Sequence, residues 1–345
     1  MNPVIDPASP TAAAQPVDTV SVIGAGAWGT ALALILHRAG RGTQLWARRP
    51  ELAEALRRTG ENTRYLPGLL LPPGLQIADD LSVALQADAV LYAQPAQHFR
   101  AFCRQAKPHL APATALVICA KGIELGRGRL LTEIAAEELP DQPVAVLSGP
   151  SFAAEAAHGL PTAVAIASTD DALAQRLMQA LSHAAFRPYG AGDPVGVEVA
   201  GATKNVLAIA CGIVIGHGLG ENARAALITR GLAEVTRLAL AKGGRTETLM
   251  GLAGFGDLVL TCCSSTSRNT SLGLELGVGR KLAEILGRRH SVAEGVSTTP
   301  AVIALADQLR VDMPLCRAVD DILAGRIGIE TAVQALLSRP LKRES

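Results

Sequence analysis

Lys204 is the residue whose surroundings point most directly to proton transfer. It lies in a predicted helix made otherwise of small and apolar residues, and Gly201, one turn earlier on the same face, leaves space beside it for a ligand. A lysine in apolar surroundings has a lowered pKa, so it is able to exchange a proton near neutral pH, as interconversion of an alcohol and a ketone requires. The alternative is a side chain that reaches the surface at the helix edge.

An acidic residue and a basic stretch further along the chain add complementary chemistry. Asp257 follows a glycine-rich turn, where it is able to orient Lys204, to bind a substrate hydroxyl or to act as an ordinary N-cap. Ser267, Arg268 and Asn269 precede a predicted helix, and a guanidinium beside small polar groups at a helix start favours phosphate binding. Helix capping alone is the alternative for this stretch.

Three more polar groups follow predicted strands, at the edge where an open α/β sheet binds its ligands. Lys121 follows the apolar run from Thr114 to Ala120, and Gly149 and Ser151 follow the run from Val144 to Ser148. Lys121 is able to reach an anionic substrate or a cofactor. Taken singly, each group is equally a surface lysine or part of a helix cap, but together they favour a binding site.

A glycine-rich junction near the N-terminus predicts a dinucleotide cradle. Gly24, Gly26 and Gly29 join the predicted strand Asp18 to Ile23 to a predicted helix. The first glycine permits the tight turn, the second lets backbone N–H groups approach a pyrophosphate, and the third lets the helix pack closely. The alternative is a glycine turn that binds no ligand.

Two arginines bear on the choice of cofactor. An NAD-preferring fold of this kind usually has an acidic residue at the end of the second strand, whereas this chain has Arg48 and Arg49. Two guanidinium groups suit a 2′-phosphate, so we expect NADP(H) to be preferred and NAD(H) to be possible. A solvated surface pair is the alternative.

The order of predicted elements gives the fold class. Apolar runs alternate with helical stretches as far as the break at residues 190–194, and helical periodicity dominates afterwards. We therefore expect an α/β protein in which an N-terminal Rossmann-type, doubly wound, mainly parallel sheet is followed by an all-α domain. The predicted divisions are a flexible tail over residues 1–17, a dinucleotide-binding domain over 18–192 and an all-helical substrate domain over 193–345.

Composition narrows the range of partners. The 345 residues include 32 Lys and Arg against 31 Asp and Glu, so no basic surplus favours nucleic acid. The seven histidines show no metal-ligand spacing, and we expect no metal. The six cysteines contain no C-x-x-C pair, which suggests a reducing cytosol. The most apolar helical candidate, Val206 to Ile215, is too short to span a bilayer, and no membrane segment is expected.

The combined motifs resemble one family, the bacterial NAD(P)-dependent sn-glycerol-3-phosphate dehydrogenases. The matching pieces run in order through almost the whole chain: Gly24 to Ala33, Asn62 to Gly68, Lys121-Gly122, Ser148 to Ala153, Ala202 to Val206, Gly254 to Leu258, Ser267 to Asn269 and Val292 to Gly295. Residues 94–97 (Gln-Pro-Ala-Gln) depart from the frequent Val-Pro-Ser-Gln, and Thr203 and Phe255 replace the usual leucines.

The resemblance implies a reaction and a set of site residues. Lys204 would accept the proton in glycerol-phosphate oxidation and donate it in the reduction of dihydroxyacetone phosphate, which supplies glycerophospholipid synthesis. The implied substrate positions are Lys121, Gly149, Ser151, Lys204, Asp257, Ser267, Arg268 and Asn269. The implied cofactor positions, with the glycine loop, are Ala27, Trp28, Arg48, Arg49, Tyr65, Lys121, Ala153, Arg268, Val292 and Glu294.

Two other functions are compatible with the sequence. One is a different two-domain dehydrogenase that acts on a hydroxy acid or phosphosugar, similar to the ketopantoate or hydroxyisobutyrate enzymes, because fold analogy alone does not fix the substrate. The other is a non-catalytic NADPH-binding regulator, which leaves the coexistence of Lys204, Asp257 and Arg268 unexplained. The resemblance also suggests a cytoplasmic homodimer acting on a phosphorylated three-carbon substrate.

Overall fold

The first half of the protein is built on one eight-stranded sheet. The computed structural model describes residues 16–289 and 293–340, so most of the predicted N-terminal tail lies outside the described residues. Val17, which the sequence prediction placed in that tail, is buried in the core. The strands are β1 (Thr19–Ile23), β2 (Gly42–Trp46), β3 (Gln76–Ala78), β4 (Ala89–Tyr92), β5 (Ala115–Ile118), β6 (Val144–Ser148), β7 (Thr162–Ala167) and β8 (Phe186–Ala191).

The strand order confirms the predicted Rossmann-type sheet. The order is β3-β2-β1-β4-β5-β6-β7-β8, and every neighbouring pair is parallel except β6 and β7, which are antiparallel. The order reverses between β1 and β4, so the loops after these two strands part and leave a crevice where ligands of such sheets bind. Strand β3 was missed by the sequence prediction because it has only three residues, too few to show an alternating pattern.

Helices cover both faces of this sheet. They are α1 (Ala27–Arg38), α2 (Pro50–Thr59), α3 (Leu81–Ala84), α4 (Phe99–Ala106), α5 (Leu131–Glu138), α6 (Ala153–His158) and α7 (Asp171–Leu181), with a short 3-10 helix at Ala96–His98. Pro50 is the first residue of α2, a position that favours proline because the helix N–H has no partner there. One apolar core fills each face of the sheet.

The second half is helical, as predicted. Its helices are α8 (Pro194–Gly216), α9 (Gly220–Lys242), α10 (Thr246–Leu249), α11 (Asp257–Cys263), α12 (Arg268–Gly277), α13 (Leu282–Arg288), α14 (Glu294–Leu309), α15 (Pro314–Leu323) and α16 (Ile329–Leu337). A third apolar core lies among them. Helix α8 packs against α9, α11, α12, α14 and α15, which makes it the axis of this half.

Helix α8 is longer than the sequence predicted. Its 23 residues are enough to cross a bilayer by length and composition, whereas the predicted apolar segment was too short. However, 89% of its most apolar window is buried inside the protein, as is usual for the core helix of a globular fold. Among the described residues, no other single helix has this length and hydropathy.

Two further predictions about the helical half were wrong. The apolar periodicity of the sequence continues from Ser271 to Leu286 and predicts a single helix there, but α12 ends at Gly277 and Gly279 adopts a φ of +88°, so the chain turns before α13. The glycine-rich segment before Asp257 was predicted to be a turn. It is instead a π-helical turn, Leu252–Gly256, that leads directly into α11.

Helices α8 and α12 touch through their backbones. A Cβ atom on Gly212 would lie 2.1 Å from the carbonyl oxygen of Thr270, and one on Gly273 would lie 2.1 Å from the carbonyl oxygen of Ile209. Gly216 and Gly277 face each other in the same way one turn further along. Glycine every fourth residue on both helices therefore allows a contact that no side chain would permit.

We expect Gly273→Ala to destabilise the protein by at least ~2 kcal/mol, because the added methyl group overlaps the backbone of α8 and forces the helices apart. Thermal unfolding measures this effect. Gly287→Ala is the matched control, since no atom lies within 4 Å of a Cβ built there and alanine favours a helix. A Gly273→Ala protein as stable as the Gly287→Ala protein would contradict the close contact.

Candidate active site

The loop after β1 has the geometry of a dinucleotide cradle. Gly24 has a φ of +121°, which disfavours any side chain, and a Cβ atom on Gly29 would lie 1.8 Å from the carbonyl oxygen of Gly24. By contrast, nothing lies within 4 Å of a Cβ built on Gly26. The space beside Gly26, at the N-terminus of α1, therefore fits the pyrophosphate of a dinucleotide.

Asn62 fixes this cradle and was missed as a functional residue in the sequence. Its buried amide donates to the carbonyl oxygen of Ala25 at 3.0 Å and to Thr30 Oγ1 at 2.7 Å. It thus holds the segment that carries Tyr65 beside the glycine loop. The only available signal was its place at the start of the Asn62 to Gly68 motif.

The predicted 2′-phosphate residues lie at the end of β2. Arg49 Nη2 donates to the Tyr65 hydroxyl at 3.0 Å, and the Arg64 guanidinium lies 5.5 Å from the centre of the Tyr65 ring. Arg48 is exposed. Trp28 and Ala153 are partly buried and pack against the core on one face of the sheet. Two guanidinium groups, those of Arg49 and Arg64, therefore contact the Tyr65 side chain.

Asp257 joins two lysines from different parts of the fold. Its Oδ1 accepts from Lys204 Nζ at 2.5 Å, and its Oδ2 accepts from Lys121 Nζ at 2.6 Å. Lys204 also donates to Thr261 Oγ1 at 2.9 Å. The side chain of Asp257 is 1% exposed and that of Lys204 10%, so this group of charges, hereafter the lysine–aspartate cluster (Lys121, Lys204 and Asp257), is largely shielded from water.

Burial and neighbouring charges determine the protonation of the cluster. Burial lowers the pKa of Lys204 to about 8; the Asp257 carboxylate limits the fall, and the Lys121 ammonium group deepens it. Burial alone would raise the pKa of Asp257, but the two lysines outweigh burial and lower it. Lys204 therefore changes charge close to neutral pH while Asp257 stays ionised.

These contacts settle several alternatives left open by the sequence. Lys204 does not extend to the surface, and its lowered pKa is as predicted. Asp257 contacts Lys204, one of its suggested roles, and is the first residue of α11 rather than its N-cap. The space expected beside Gly201 is filled, since a Cβ there would lie 3.2 Å from Ser148 Oγ and 3.5 Å from Lys121 Cγ. Thr261, four residues after Asp257, was missed because no helix was predicted there.

Gly149 and Ser151 lie next to the cluster. The Gly149 carbonyl oxygen accepts from Lys121 Nζ at 3.3 Å and from Ser151 Oγ at 3.0 Å. Gly149 has a φ of +150°, and a Cβ there would lie 2.9 Å from Val164 Cα, so glycine is required. These residues follow β6, beside the end of β5, and therefore share one edge of the sheet with Lys121.

The start of α12 combines a capped helix with an exposed arginine. Ser267 is the N-cap and accepts from the backbone N–H of Thr270, so the capping role is present. Asn269 is buried, donates to Asn205 Oδ1 at 2.9 Å and accepts from the Gly295 N–H at 3.0 Å. Its amide thus joins α8, α12 and α14, whereas Arg268 is exposed and free to meet a ligand.

Glu294 is the first residue of α14 and faces the same charges. Burial raises the pKa of its carboxyl group, and Arg268, Lys121 and Lys204 partly offset the rise. Val292, the remaining predicted cofactor residue, lies outside the described residues. In residues 16–289 and 293–340, no group of three or more His, Cys, Asp or Glu side chains is arranged to hold a metal ion.

A dinucleotide cradle and a buried lysine with a near-neutral pKa, both beside the carboxyl ends of parallel strands, define the class of protein. It is a pyridine-nucleotide-dependent oxidoreductase with a Rossmann-type sheet and a helical second half.

Comparison with known proteins identifies the family. The profile described as the N-terminus of NAD-dependent glycerol-3-phosphate dehydrogenase matches residues 19–174, and the corresponding C-terminal profile matches residues 193–334. The chain therefore belongs to the NAD(P)-dependent glycerol-3-phosphate dehydrogenase family.

Individual relatives match this chain over almost their whole length. The chain is 54% identical to glycerol-3-phosphate dehydrogenase (NAD(P)+) of Rhodospirillum rubrum, covering 96% of this chain and 95% of that protein. Identity to the Caulobacter vibrioides protein of the same name is 52%, covering 95% and 99%. The crystal structure of glycerol-3-phosphate dehydrogenase from Coxiella burnetii is 42% identical, with a TM-score of 0.90 and coverage of 94% and 99%.

We expect Asp257→Asn to lower the pKa of Lys204 below 8, because the carboxylate that favours the ammonium form is lost. Titration of the lysine 13Cε resonances measures this pKa. The variant should lose about 3 kcal/mol of stability at pH 7, since two ammonium groups are left without their partner.

The stability lost in Asp257→Asn should depend on pH in a defined direction. A lysine whose folded pKa lies below its unfolded value binds fewer protons when folded, so stability rises with pH between those two values. Because the pKa of Lys204 is expected to be lower in Asp257→Asn than in the native protein, the stability of the variant begins to rise at a lower pH. The stability that the variant has lost relative to the native protein should therefore shrink between pH 7 and pH 9. Asp79→Asn, which removes an exposed carboxylate paired with Arg57, is the control. An unchanged or raised pKa of Lys204 in Asp257→Asn would refute this account.

Proposed function

We propose that this protein catalyses the reversible NAD(P)H-dependent reduction of dihydroxyacetone phosphate to sn-glycerol 3-phosphate, which supplies glycerophospholipid synthesis. The observation that carries the proposal is the lysine–aspartate cluster, in which a lysine with a pKa of about 8 is held beside a second ammonium group. One lysine is suited to exchange a proton, while the other attracts an anionic substrate.

Lys204 supplies the proton in the proposed reaction. When bound, NADPH provides the hydride that adds to C2 of the ketone. The protonated Lys204 donates to the C2 oxygen, so that the alkoxide never accumulates, and the neutral amine accepts a proton in the reverse direction. Asp257 and the Thr261 hydroxyl each accept a hydrogen bond from Lys204 Nζ, and these two bonds orient the ammonium group.

The phosphate group is proposed to bind at the start of α12. Arg268 is exposed there, and the helix dipole and free N–H groups favour an anion. Lys121, Gly149 and Ser151 are proposed to line the rest of the substrate site, with Ser267 and Asn269 shaping the helix start. A phosphorylated substrate also suits a site in which two lysines and one aspartate leave a net positive charge.

NADP(H) is proposed as the preferred cofactor. Arg49 is oriented by the Tyr65 hydroxyl at 3.0 Å, and Arg48 adds a second guanidinium at the position where NAD enzymes usually have an acid. The full proposed cofactor set is Gly24, Gly26, Ala27, Trp28, Gly29, Arg48, Arg49, Tyr65, Lys121, Ala153, Arg268, Val292 and Glu294.

The remaining features of the proposal follow from the family and the fold. We propose a cytoplasmic enzyme whose partners are small molecules, with a sheet domain over residues 18–192 and a helical substrate domain over 193–345. A homodimer is proposed on the resemblance alone. All six cysteines lie in the described part of the chain and are free thiols, which is compatible with a reducing compartment.

We expect Lys204→Ala to bind NADPH normally and to lose about 10²–10⁴-fold in kcat with dihydroxyacetone phosphate, since general acid catalysis contributes a factor of that order. NADPH fluorescence measures binding, and absorbance at the nicotinamide band measures turnover. Lys107→Ala, at an exposed position after α4, is the control. Retained turnover would refute the role of Lys204, and activity of the native protein only with 2-oxo acids would refute the substrate.

We expect Arg49→Ala to raise the KM for NADPH about tenfold or more and to leave the KM for NADH nearly unchanged, because only NADPH carries the 2′-phosphate. Tyr65→Phe removes the hydroxyl that orients Arg49 and should give a smaller effect of the same kind. Arg58→Ala, exposed on α2, is the matched control. Equal effects on both cofactors would contradict this assignment.

A further inference from the structure

Two side chains on one helical face hold the segment that begins with Lys121. Gln97 Nε2 donates to the carbonyl oxygen of Ile123 at 2.8 Å, and the Leu125 N–H donates to Gln97 Oε1 at 3.0 Å. Between these two, Arg100 forms a bidentate pair with Glu124, at 2.6 and 2.8 Å. Residues 123, 124 and 125 are therefore each held by one of the two side chains, which we call the Gln97–Arg100 clamp.

The Gln97–Arg100 clamp is close enough to Lys121 along the chain to fix its position. Lys121 lies three residues beyond the end of β5 and is followed by nine residues without helix or strand. Backbone hydrogen bonds between Glu124 and Arg129 and between Gly128 and Glu124 close a local turn in this segment, while side chains attach it to neighbouring elements. A Cβ on Gly122 would lie 2.7 Å from Ala96 Cβ, so the backbone after Lys121 already touches the segment that carries Gln97. Only Gly122 separates Lys121 from Ile123.

The other side of the segment is held by the helical half. Ile123 and Leu130 are buried in the core formed around α8. Arg100 also bonds to Glu137 and Glu138 of α5, each at 2.7 Å, so the clamp is itself rigidly supported. The segment thus has an apolar attachment to one half of the protein and a polar attachment to the other.

We propose that Gln97, supported by Arg100, is a positioning residue that holds Lys121 against Asp257 and so controls the protonation of Lys204. The proposal rests on the proposed function of Lys204 as the proton donor. The Gln97 side chain is hydrogen-bonded to the backbone of Ile123 and Leu125 rather than to the lysine–aspartate cluster itself. Its effect therefore passes through these two residues and the backbone to Lys121.

The charges around Lys204 give the expected direction. Asp257 of α11 raises its pKa, Lys121 lowers it, and the Glu294 carboxyl of α14 and the Cys262 thiol of α11 also face it. If the clamp is released and Lys121 moves away, Lys204 loses a neighbouring positive charge and becomes the sole lysine paired with Asp257. Its pKa should then rise above about 8.

The test compares Gln97→Met with the native protein. Methionine keeps the length of the side chain and loses both hydrogen bonds. Titration of the lysine 13Cε resonances in the free protein measures the pKa of Lys204, which is identified by its absence from Lys204→Arg. Lys121→Met gives the full effect of removing the second ammonium group, and Gln86→Met removes a glutamine bond to a distant backbone carbonyl and is the control.

We expect Gln97→Met to raise the pKa of Lys204 by half a pH unit or more, toward the value in Lys121→Met, and to lower kcat about tenfold. The alkaline limb of the pH profile for ketone reduction should move upward with it. Gln97→Glu, which keeps the acceptor for the Leu125 N–H, should give an intermediate shift if Gln97→Met folds poorly. Gln86→Met should leave the pKa and kcat unchanged.

Two results would overturn separate parts of this account. A pKa of Lys204 that rises in Lys121→Met and stays at the native value in both Gln97 variants would refute the positioning role. Full turnover by Lys204→Ala would instead refute the proposed role of Lys204 as the proton donor, while the resonance titration, which needs no substrate, would still report whether Gln97 controls Lys121.

Discussion

A single buried carboxylate shared by two lysines is the interaction on which the site depends. Asp257 cannot stay ionised in an apolar interior without its partners, and Lys204 cannot stay charged without Asp257. Because the two lysines belong to the sheet half and the helical half, the site is complete only when both halves are packed together. The same arrangement leaves one positive charge in excess, which an anionic substrate is able to neutralise.

The fold brings these residues together by two independent routes. Parallel pairing of β5 with β6 places Lys121 next to Gly149 at the carboxyl edge of the sheet. In the helical half, α8 carries Lys204 and packs against α11, which carries Asp257 and Thr261 one turn apart. The dinucleotide cradle at β1 requires neither route, although Lys121 is proposed to serve both the cofactor and the substrate.

The sequence was informative where the determinants are local. The glycine loop, the isolated lysine in an apolar helix and the strand–helix alternation all depend on residues close in sequence, and each was predicted. Long-range hydrogen bonds were not accessible: the partners of Asn62 and Gln97 lie 26 to 37 residues away. Helix boundaries failed where an apolar pattern continued through a break, as at Gly279.

The glycine contact between α8 and α12 has a consequence for substrate choice. A contact made of backbone atoms has no rotamers that could rearrange, so the two helices behave as one rigid piece. Lys204 belongs to one helix and Arg268 begins the other, so the separation of their backbones is fixed by this contact. If these two residues are the proton donor and the phosphate-binding residue, as proposed, the fixed separation favours substrates with a set number of bonds between carbonyl and phosphate.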